Sequence, residues 1–156
     1  MRKNVLVAFD DSENAMSAVE AVARTFTTDH EITLYSVIHD TAAVCGMYSP
    51  ELSPHFLSLR REFCSLDHMK REMIHQAQQR AKERLVQAGF TEENIKLKVE
   101  NVKKGIARDI IEEAKSDYST IVLGRRGISG VKGFFLGSVS SKVVSSVKNV
   151  SVLVVD

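Results

Sequence analysis

Val5-Leu6-Val7-Ala8-Phe9-Asp10-Asp11-Ser12 opens with five apolar residues in a row and stops on two carboxylates and a serine. A short continuous apolar run is the pattern of a strand buried on both faces, and an Asp or Ser directly after it is the pattern of a helix N-cap, for which Asp11 is a candidate. The helix follows at once. Ala15, Ala18, Val19, Val22, Ala23 and Phe26 recur at spacings of three and four, which lays one apolar stripe along a helix from Glu13 to Thr27. A strand that passes directly into a helix is the first half of a parallel β-α-β unit.

The same order repeats down the chain. Ile32 to Ile38 is a second strand. His39 to about Leu59, with two prolines and one glycine, is a long loop or cover. From about Phe63 to Ala88 the spacing of Leu66, Met69, Met73, Ala77, Ala81, Leu85 and Ala88 marks a long amphipathic helix that Gly89 ends. Met47, Met69 and Met73 are expected to be packing residues. Ile95 to Glu100 alternates apolar with charged, as a strand does with one buried and one wet face, and its lysines suit a sheet edge. Ile106, Ala107, Ile110, Ile111 and Ala114 form another helical stripe after Gly105. Ile121-Val122-Leu123 is a buried strand stopping at Gly124, Val139 to Val147 a short helix, and Val150 to Val155 a last apolar strand. The expectation is a single α/β domain over residues 1–156: an open, five-stranded parallel sheet with helices on both faces, of the Rossmann-like kind. Ligands of such sheets sit beyond the carboxyl ends of the strands, which points to Asp10, Val37 to Asp40, Val102 to Gly105 and Gly124 to Ser140.

Composition narrows the partners. The 156 residues are 44% hydrophobic and 26% charged with a net charge of +1, which argues against a broad nucleic-acid-binding face. No apolar run reaches the length of a membrane span and no stretch reads as a signal peptide, so the expected compartment is the cytoplasm. Cys45 and Cys64, in no CxxC pair, read as two ordinary thiols. His30, His39, His55, His68 and His75 form no metal-binding pair; His68 and His75, seven apart on the long helix, read as solvated. Local charge says more than the total: from Tyr118 to Val155 there is no carboxylate, while Arg125, Arg126, Lys132, Lys142 and Lys148 all fall inside.

That basic stretch contains a glycine loop, Gly124-x2-Gly127-x2-Gly130-x2-Gly133-x3-Gly137, running into Ser138-Val139-Ser140-Ser141 at a helix start. Glycine lets backbone N–H groups approach an anion that a Cβ would hold off, and the open N–H groups and dipole at a helix N-terminus favour negative charge. Gly137, Ser138 and Val139 supply N–H groups, and Ser138 and Ser140 hydroxyls, to a phosphate chain. Neither GxxxxGK[ST] nor GxGxxG occurs, no lysine heads the final helix and no carboxylate lies in the loop to hold magnesium, so fast hydrolysis lacks its usual machinery.

With these residues in view the chain resembles the universal stress proteins. The resemblance rests on Val7-Ala8-Phe9-Asp10-Asp11-Ser12, on Leu34-Tyr35-Ser36-Val37-Ile38, on Gly105, and on Gly124-x2-Gly127-x9-Gly137-Ser138, the spacing of that family's ATP-binding signature. It implies a sheet ordered 3-2-1-4-5. It also implies a site in which Ala8 is one of the nucleotide-binding residues, Asp10 lies by the ribose and a phosphate-bound Mg or Mn, Val37 and Leu123 by the adenine, Gly124 and Gly127 along the phosphates, and Gly137, Ser138, Val139 and Ser140 at their far end. The chain departs from many relatives in having Ala8-Phe9 before Asp10 in place of a proline, and Arg125-Arg126 in the loop, a pair that could strengthen phosphate binding. The expected ligand is ATP, or AMP or ADP, held by a stress-response regulator with at most slow hydrolysis. An ATPase or a transferase cleaving the nucleotide, and a dimeric interaction module with an empty site, are the alternatives. In the implied order the fifth strand is an apolar edge without protective charge, so a homodimer paired along Val150 to Val155 is expected, unless the 39–59 segment covers that edge.

Overall fold

The computed structural model describes residues 3–10, 12–39, 41, 45–46, 51, 53–125 and 136–156. β1 (Asn4–Ala8) lies between β2 (Glu31–Ile38) and β4 (Thr120–Gly124) and pairs with both in parallel. β3 (Ile95–Asn101) and β5 (Ser151–Val155) complete a five-stranded sheet ordered β3-β2-β1-β4-β5, parallel throughout. This is the expected α/β architecture and strand order.

Strand alternation divides the core in two. Val5, Val7, Ile32, Leu34 and Val122 point to one face, where α1 (Glu13–Thr25) and α2 (Pro54–Gln87) cover them through Ala18, Val19, Val22, Ala77, Ala81 and Leu85. Leu6, Tyr35, Ile121 and Leu123 point to the other, under Ala107, Ile110 and Ala114 of α3 (Ile106–Glu113) and its end, and Val143 of α4 (Ser138–Ser146). The continuous apolar runs of β1 and β4 follow from this, since a central strand with helices on both faces has no wet side. Ser12 caps α1, its side chain accepting from the Ala15 N–H; Asp11, the expected cap, lies outside the described residues. Gly89 closes α2 with φ +103°, and the Phe90 N–H reaches back to the Leu85 carbonyl.

α2 departs most from expectation. It starts at Pro54, inside the segment read as loop, because Ser53 serves as N-cap and the proline stands at the first helical position, where its missing N–H has no intrahelical partner to lose. Its buried face is Ile74, Ala77, Gln78, Ala81 and Leu85. Leu66, Met69 and Met73, expected to pack, are 66%, 57% and 52% exposed, since they precede the stretch that lies on the sheet. Met47 lies outside the described residues. On β3, Leu97 is exposed although its alternation placed it inside, and Lys98 is half-buried in an ion pair with Glu113. His68 and His75 are exposed, as expected.

The one buried polar residue on α2 ties three elements together. Gln78 is 1% exposed, and its Nε2 donates to Ser36 Oγ at 2.9 Å, with longer contacts to the Leu34 and Lys98 carbonyls. Ser36 Oγ in turn donates to the Phe9 carbonyl at 2.6 Å. Gln78→Ala strands these acceptors in a dry interior and is expected to cost about 2 kcal/mol of stability, whereas Gln79→Ala on the exposed face should cost less than about 0.5 kcal/mol. Urea denaturation checks this, and equal midpoints for the two variants would remove the network from the core.

Candidate functional site

Parallel strands end on a common rim, and here β1, β2 and β4 end beside the head of α4. The opening they share is a cleft of about 1010 Å³. Nine of the ten residues expected at the site line it: Ala8, Asp10, Val37, Leu123, Gly124, Gly137, Ser138, Val139 and Ser140. The tenth, Gly127, lies outside the described residues, as do Arg126, Gly130, Lys132 and Gly133. Asp40, read with the β2 end, does so as well.

The α4 end of the cleft is organised around one carbonyl. The Arg125 oxygen accepts from the Gly137 N–H at 2.8 Å and from the Ser140 hydroxyl at 2.7 Å, so the two ends of the glycine-rich stretch meet. Both donors had been expected to face a ligand; they instead hold the base of the loop. Gly137 is the N-cap of α4, with no side-chain cap bond, and Ser138 is the first helical residue. The N–H groups of Ser138, Val139 and Ser140 come before the first helical hydrogen bond, the one from the Ser141 N–H to the Gly137 carbonyl, and are the backbone donors left at this helix head. Gly137 has φ −69°, a value any residue adopts.

Gly124 has a different reason to be glycine. A Cβ there would stand 2.7 Å from Asn14 Cβ and 3.0 Å from its carbonyl oxygen, so the start of α1 closes on this position. Arg125 is not among the cleft-lining residues: its Nη2 pairs with Asp156 at 2.8 Å, and its N–H extends the β4–β5 ladder to the Val155 carbonyl. The contribution to anion binding that its sequence position suggested is therefore taken up by the carboxylate next to β5.

At the other end, Asp10 Oδ1 accepts from the Ser12 N–H at 2.8 Å, which fixes the carboxylate at the mouth of the cleft. No cluster of three metal-ligating side chains occurs among the described residues. The cleft is walled on this side by one face of α2, including Phe63, Leu66, Asp67, Lys70, Arg71 and Ile74, which the sequence reading missed. Their spacing of three and four on a helix was legible, but not that this face overlooks the rim. Asp67 accepts from Thr41 Oγ1 at 2.5 Å and from Arg71 Nε at 3.0 Å; these bonds hold its carboxyl below the usual range, the threonine contributing most. Arg71 also donates to the His39 carbonyl and to Asn101 Oδ1. Tyr35, which lines the cleft, donates to Glu100, and burial first, then that carboxylate, pushes its hydroxyl well up.

Cys45 and Cys64, expected as free thiols, form a disulfide. They stand nineteen positions apart, Cys45 between β2 and α2 and Cys64 on α2, a spacing that carries no disulfide signature in the sequence.

The chain matches the model described as the Universal stress protein family over residues 1–156. It belongs to that family. Universal stress protein YxiE of Bacillus subtilis (strain 168) is 33% identical over 164 residues, covering 99% of each chain. Among solved structures of this fold, hypothetical protein MJ0577, whose structure served to assign a biochemical function, superposes with TM-score 0.72 at 25% identity over 99% of this chain and 96% of that one. Universal stress protein UspA from Lactobacillus plantarum gives TM-score 0.62 at 26% identity over 100% and 99%. A universal stress protein solved in complex with cAMP gives 0.63 at 18% identity over 99% and 96%. No helix among the described residues of this universal stress protein is long and apolar enough to cross a membrane.

A buried carboxylate fixes the loop that leads from β3 into α3 beside the cleft. Asp109 accepts from the Lys103 N–H at 2.7 Å and the Lys104 N–H at 3.0 Å. Burial works to raise its pKa, and the backbone N–H bonds outweigh that and hold it below the usual value. A carboxyl whose folded pKa is depressed stabilises the fold above its unfolded pKa of about 4 and loses that contribution as pH falls through the folded value. Asp109→Ala should therefore lose stability at neutral pH by an amount that narrows in acid. Denaturation across the acid range checks this; a gap that stays constant down to about pH 2 would contradict it.

Proposed function

We propose that this universal stress protein binds an adenine nucleotide, ATP or else AMP or ADP, in the cleft at the strand ends, and acts in stress regulation through the bound state rather than through turnover. The observation that carries this reading is that residues from four separate parts of the sequence, chosen for nucleotide chemistry, line one opening. Val37, Leu123 and Ala8 offer apolar contact to a base and sugar, Asp10 a carboxylate for the ribose or for a Mg or Mn carried in with the phosphates. The N–H groups of Ser138 and Val139 and the exposed Ser138 side chain suit an oxyanion, because they sit at the positive end of α4 with no first-turn carboxylate to compete. A metal would draw most of its ligands from phosphates and water, since the described residues hold no preformed cluster. The complex of another protein of this fold with cAMP is in keeping with an adenine nucleotide as the ligand class.

Gly137 makes the sharpest test. Its backbone is open to any residue, so Gly137→Val should leave the thermal midpoint within a few degrees while weakening ATP binding by about tenfold or more in calorimetry. Nucleotide carried through purification and identified by mass spectrometry is expected with the unmodified protein and not with the variant. Unchanged affinity in a folded Gly137→Val protein would take the loop out of the site. Phosphate or pyrophosphate release should stay below about 1 per second; faster release, lost with the loop variant, would make the protein an enzyme.

The proposed assembly is a homodimer along β5. That strand is a sheet edge, with Val152, Leu153, Val154 and Val155 half-buried and no charge until Asp156. The described part of the 39–59 segment ties to α2 at the β2–β3 side, away from this edge. Val152 packs on the α3–α4 core, so Val154→Lys is the cleaner probe. Light scattering should show a dimer for the unmodified chain and a monomer for Val154→Lys, and identical masses would exclude this strand as the interface.

A further inference from the structure

The first twenty residues of α2, 54–73, contribute nothing to the buried face of that helix, which begins at Ile74. Phe56, Leu59, Phe63, Leu66, Met69 and Met73 all lie exposed along them. A helix held by so little packing depends on whatever else fastens it, because most helical stability in proteins comes from a buried face. Yet Phe63, Leu66, Asp67 and Lys70 of this arm form one wall of the cleft. Among the described residues, what fastens the arm to the end of β2 is a set of three ties within eight residues of helix. Arg71 Nη2 donates to the His39 carbonyl at 2.7 Å, Thr41 Oγ1 donates to Asp67, and Cys45 is bonded to Cys64. The Cys45 N–H also donates to the Thr41 carbonyl at 2.9 Å, so the disulfide and the Thr41–Asp67 bond share one short piece of backbone.

We infer that the Cys45–Cys64 disulfide is a reversible staple that sets the order of this wall, and so makes ligand affinity in the cleft depend on the redox state. The ligand assumed is the adenine nucleotide proposed above, and that part of the inference rests on the same reading. Both cysteines are part-exposed, which leaves the bond open to attack. A thiolate of a small dithiol attacks one Sγ, the Cys45–Cys64 bond breaks and a mixed disulfide forms; the second thiol of the reductant then displaces the protein sulfur. The protein gains two electrons and two protons and keeps two thiols, and the reductant leaves as its own disulfide. Exchange with a small-molecule disulfide reverses the step. The reduced arm keeps only its hydrogen bonds through Asp67 and Arg71, to Thr41, the His39 carbonyl and Asn101, all at partly exposed side chains of the helix, and Phe63 and Leu66 lose their fixed position over the cleft.

The test compares the unmodified protein oxidised with glutathione disulfide and reduced with dithiothreitol, alongside Cys64→Ser. Amide hydrogen exchange reads the arm without any ligand. On reduction, exchange over 57–73 should accelerate about tenfold or more while 77–87, packed on the sheet, stays unchanged. Calorimetry with ATP and magnesium should show affinity weakened by about fivefold or more in the reduced form. Cys64→Ser should match the reduced protein in both readouts and ignore dithiothreitol. Equal exchange over 57–73 in the two states would overturn the staple, as would a response to dithiothreitol in Cys64→Ser. Faster exchange with unchanged ATP affinity would overturn the link to the cleft. Absence of ATP binding in both states would refute the nucleotide reading itself, and the exchange comparison would still decide the staple.

Discussion

The parallel pairing of β1 with β2 and β4 is the constraint from which the site follows. Val5 to Ala8 stand opposite Ile32 to Tyr35 on one side and Thr120 to Leu123 on the other, so three strands from separate parts of the sequence run the same way in register, β1 ending first and β2 continuing to Ile38. Beyond the last pairs the chain must leave the sheet, and every exit lies on the same rim: Asp10 on the way to α1, His39 after β2, Arg125 after β4. Backbone hydrogen bonds keep that rim tight. The Phe9 N–H donates to the Tyr35 carbonyl, and the Phe9 carbonyl accepts from Ser36, so β1 remains fastened to β2 one residue past its formal end. A shift of one residue in this register would turn Val5 and Val7 toward the α3–α4 face and carry Asp10 away from the opening.

The cleft is asymmetric in how its sides are built. On the α4 side the loop ends are joined at the Arg125 carbonyl, and the arginine side chain is anchored on Asp156 beyond β5. That side moves with the sheet. On the α2 side the wall stands on a helix that has left the sheet, held through side chains and one covalent bond. One side of the opening is thus part of the sheet, and the facing side is fastened separately through Asp67, Arg71 and Cys64.

What could be read from the sequence was what periodicity and short motifs encode. The buried strands, the stripe of α1, the stop at Gly89 and the strand-end positions Asp10, Val37, Gly124 and Gly137 are all local patterns, and the structure places these four on the cleft. What could not be read depends on contacts across the chain. Ser53-Pro54 reads as a break as easily as a helix start, so α2 lost its first nine residues. Met69 and Met73 carry the spacing of a packed face, but periodicity does not say where the sheet beneath the helix ends. Gln78 looks like one more polar residue on a helix until Leu34, Ser36 and Lys98 surround it. The role of the Gly137 N–H and the Ser140 hydroxyl in closing the loop on Arg125 required the position of a carbonyl twelve and fifteen residues away.

The contact between Gly124 and Asn14 bears on how descent should be read in this loop. A glycine whose missing Cβ makes room for a neighbouring helix is retained by the need to fold, whatever the site contains. A duplicated copy of this domain would keep Gly124 as long as α1 kept its seat, while Gly137, whose backbone makes no such demand, is not held by the fold. The two glycines thus record different histories, the first that of the fold and the second that of whatever use the opening is put to.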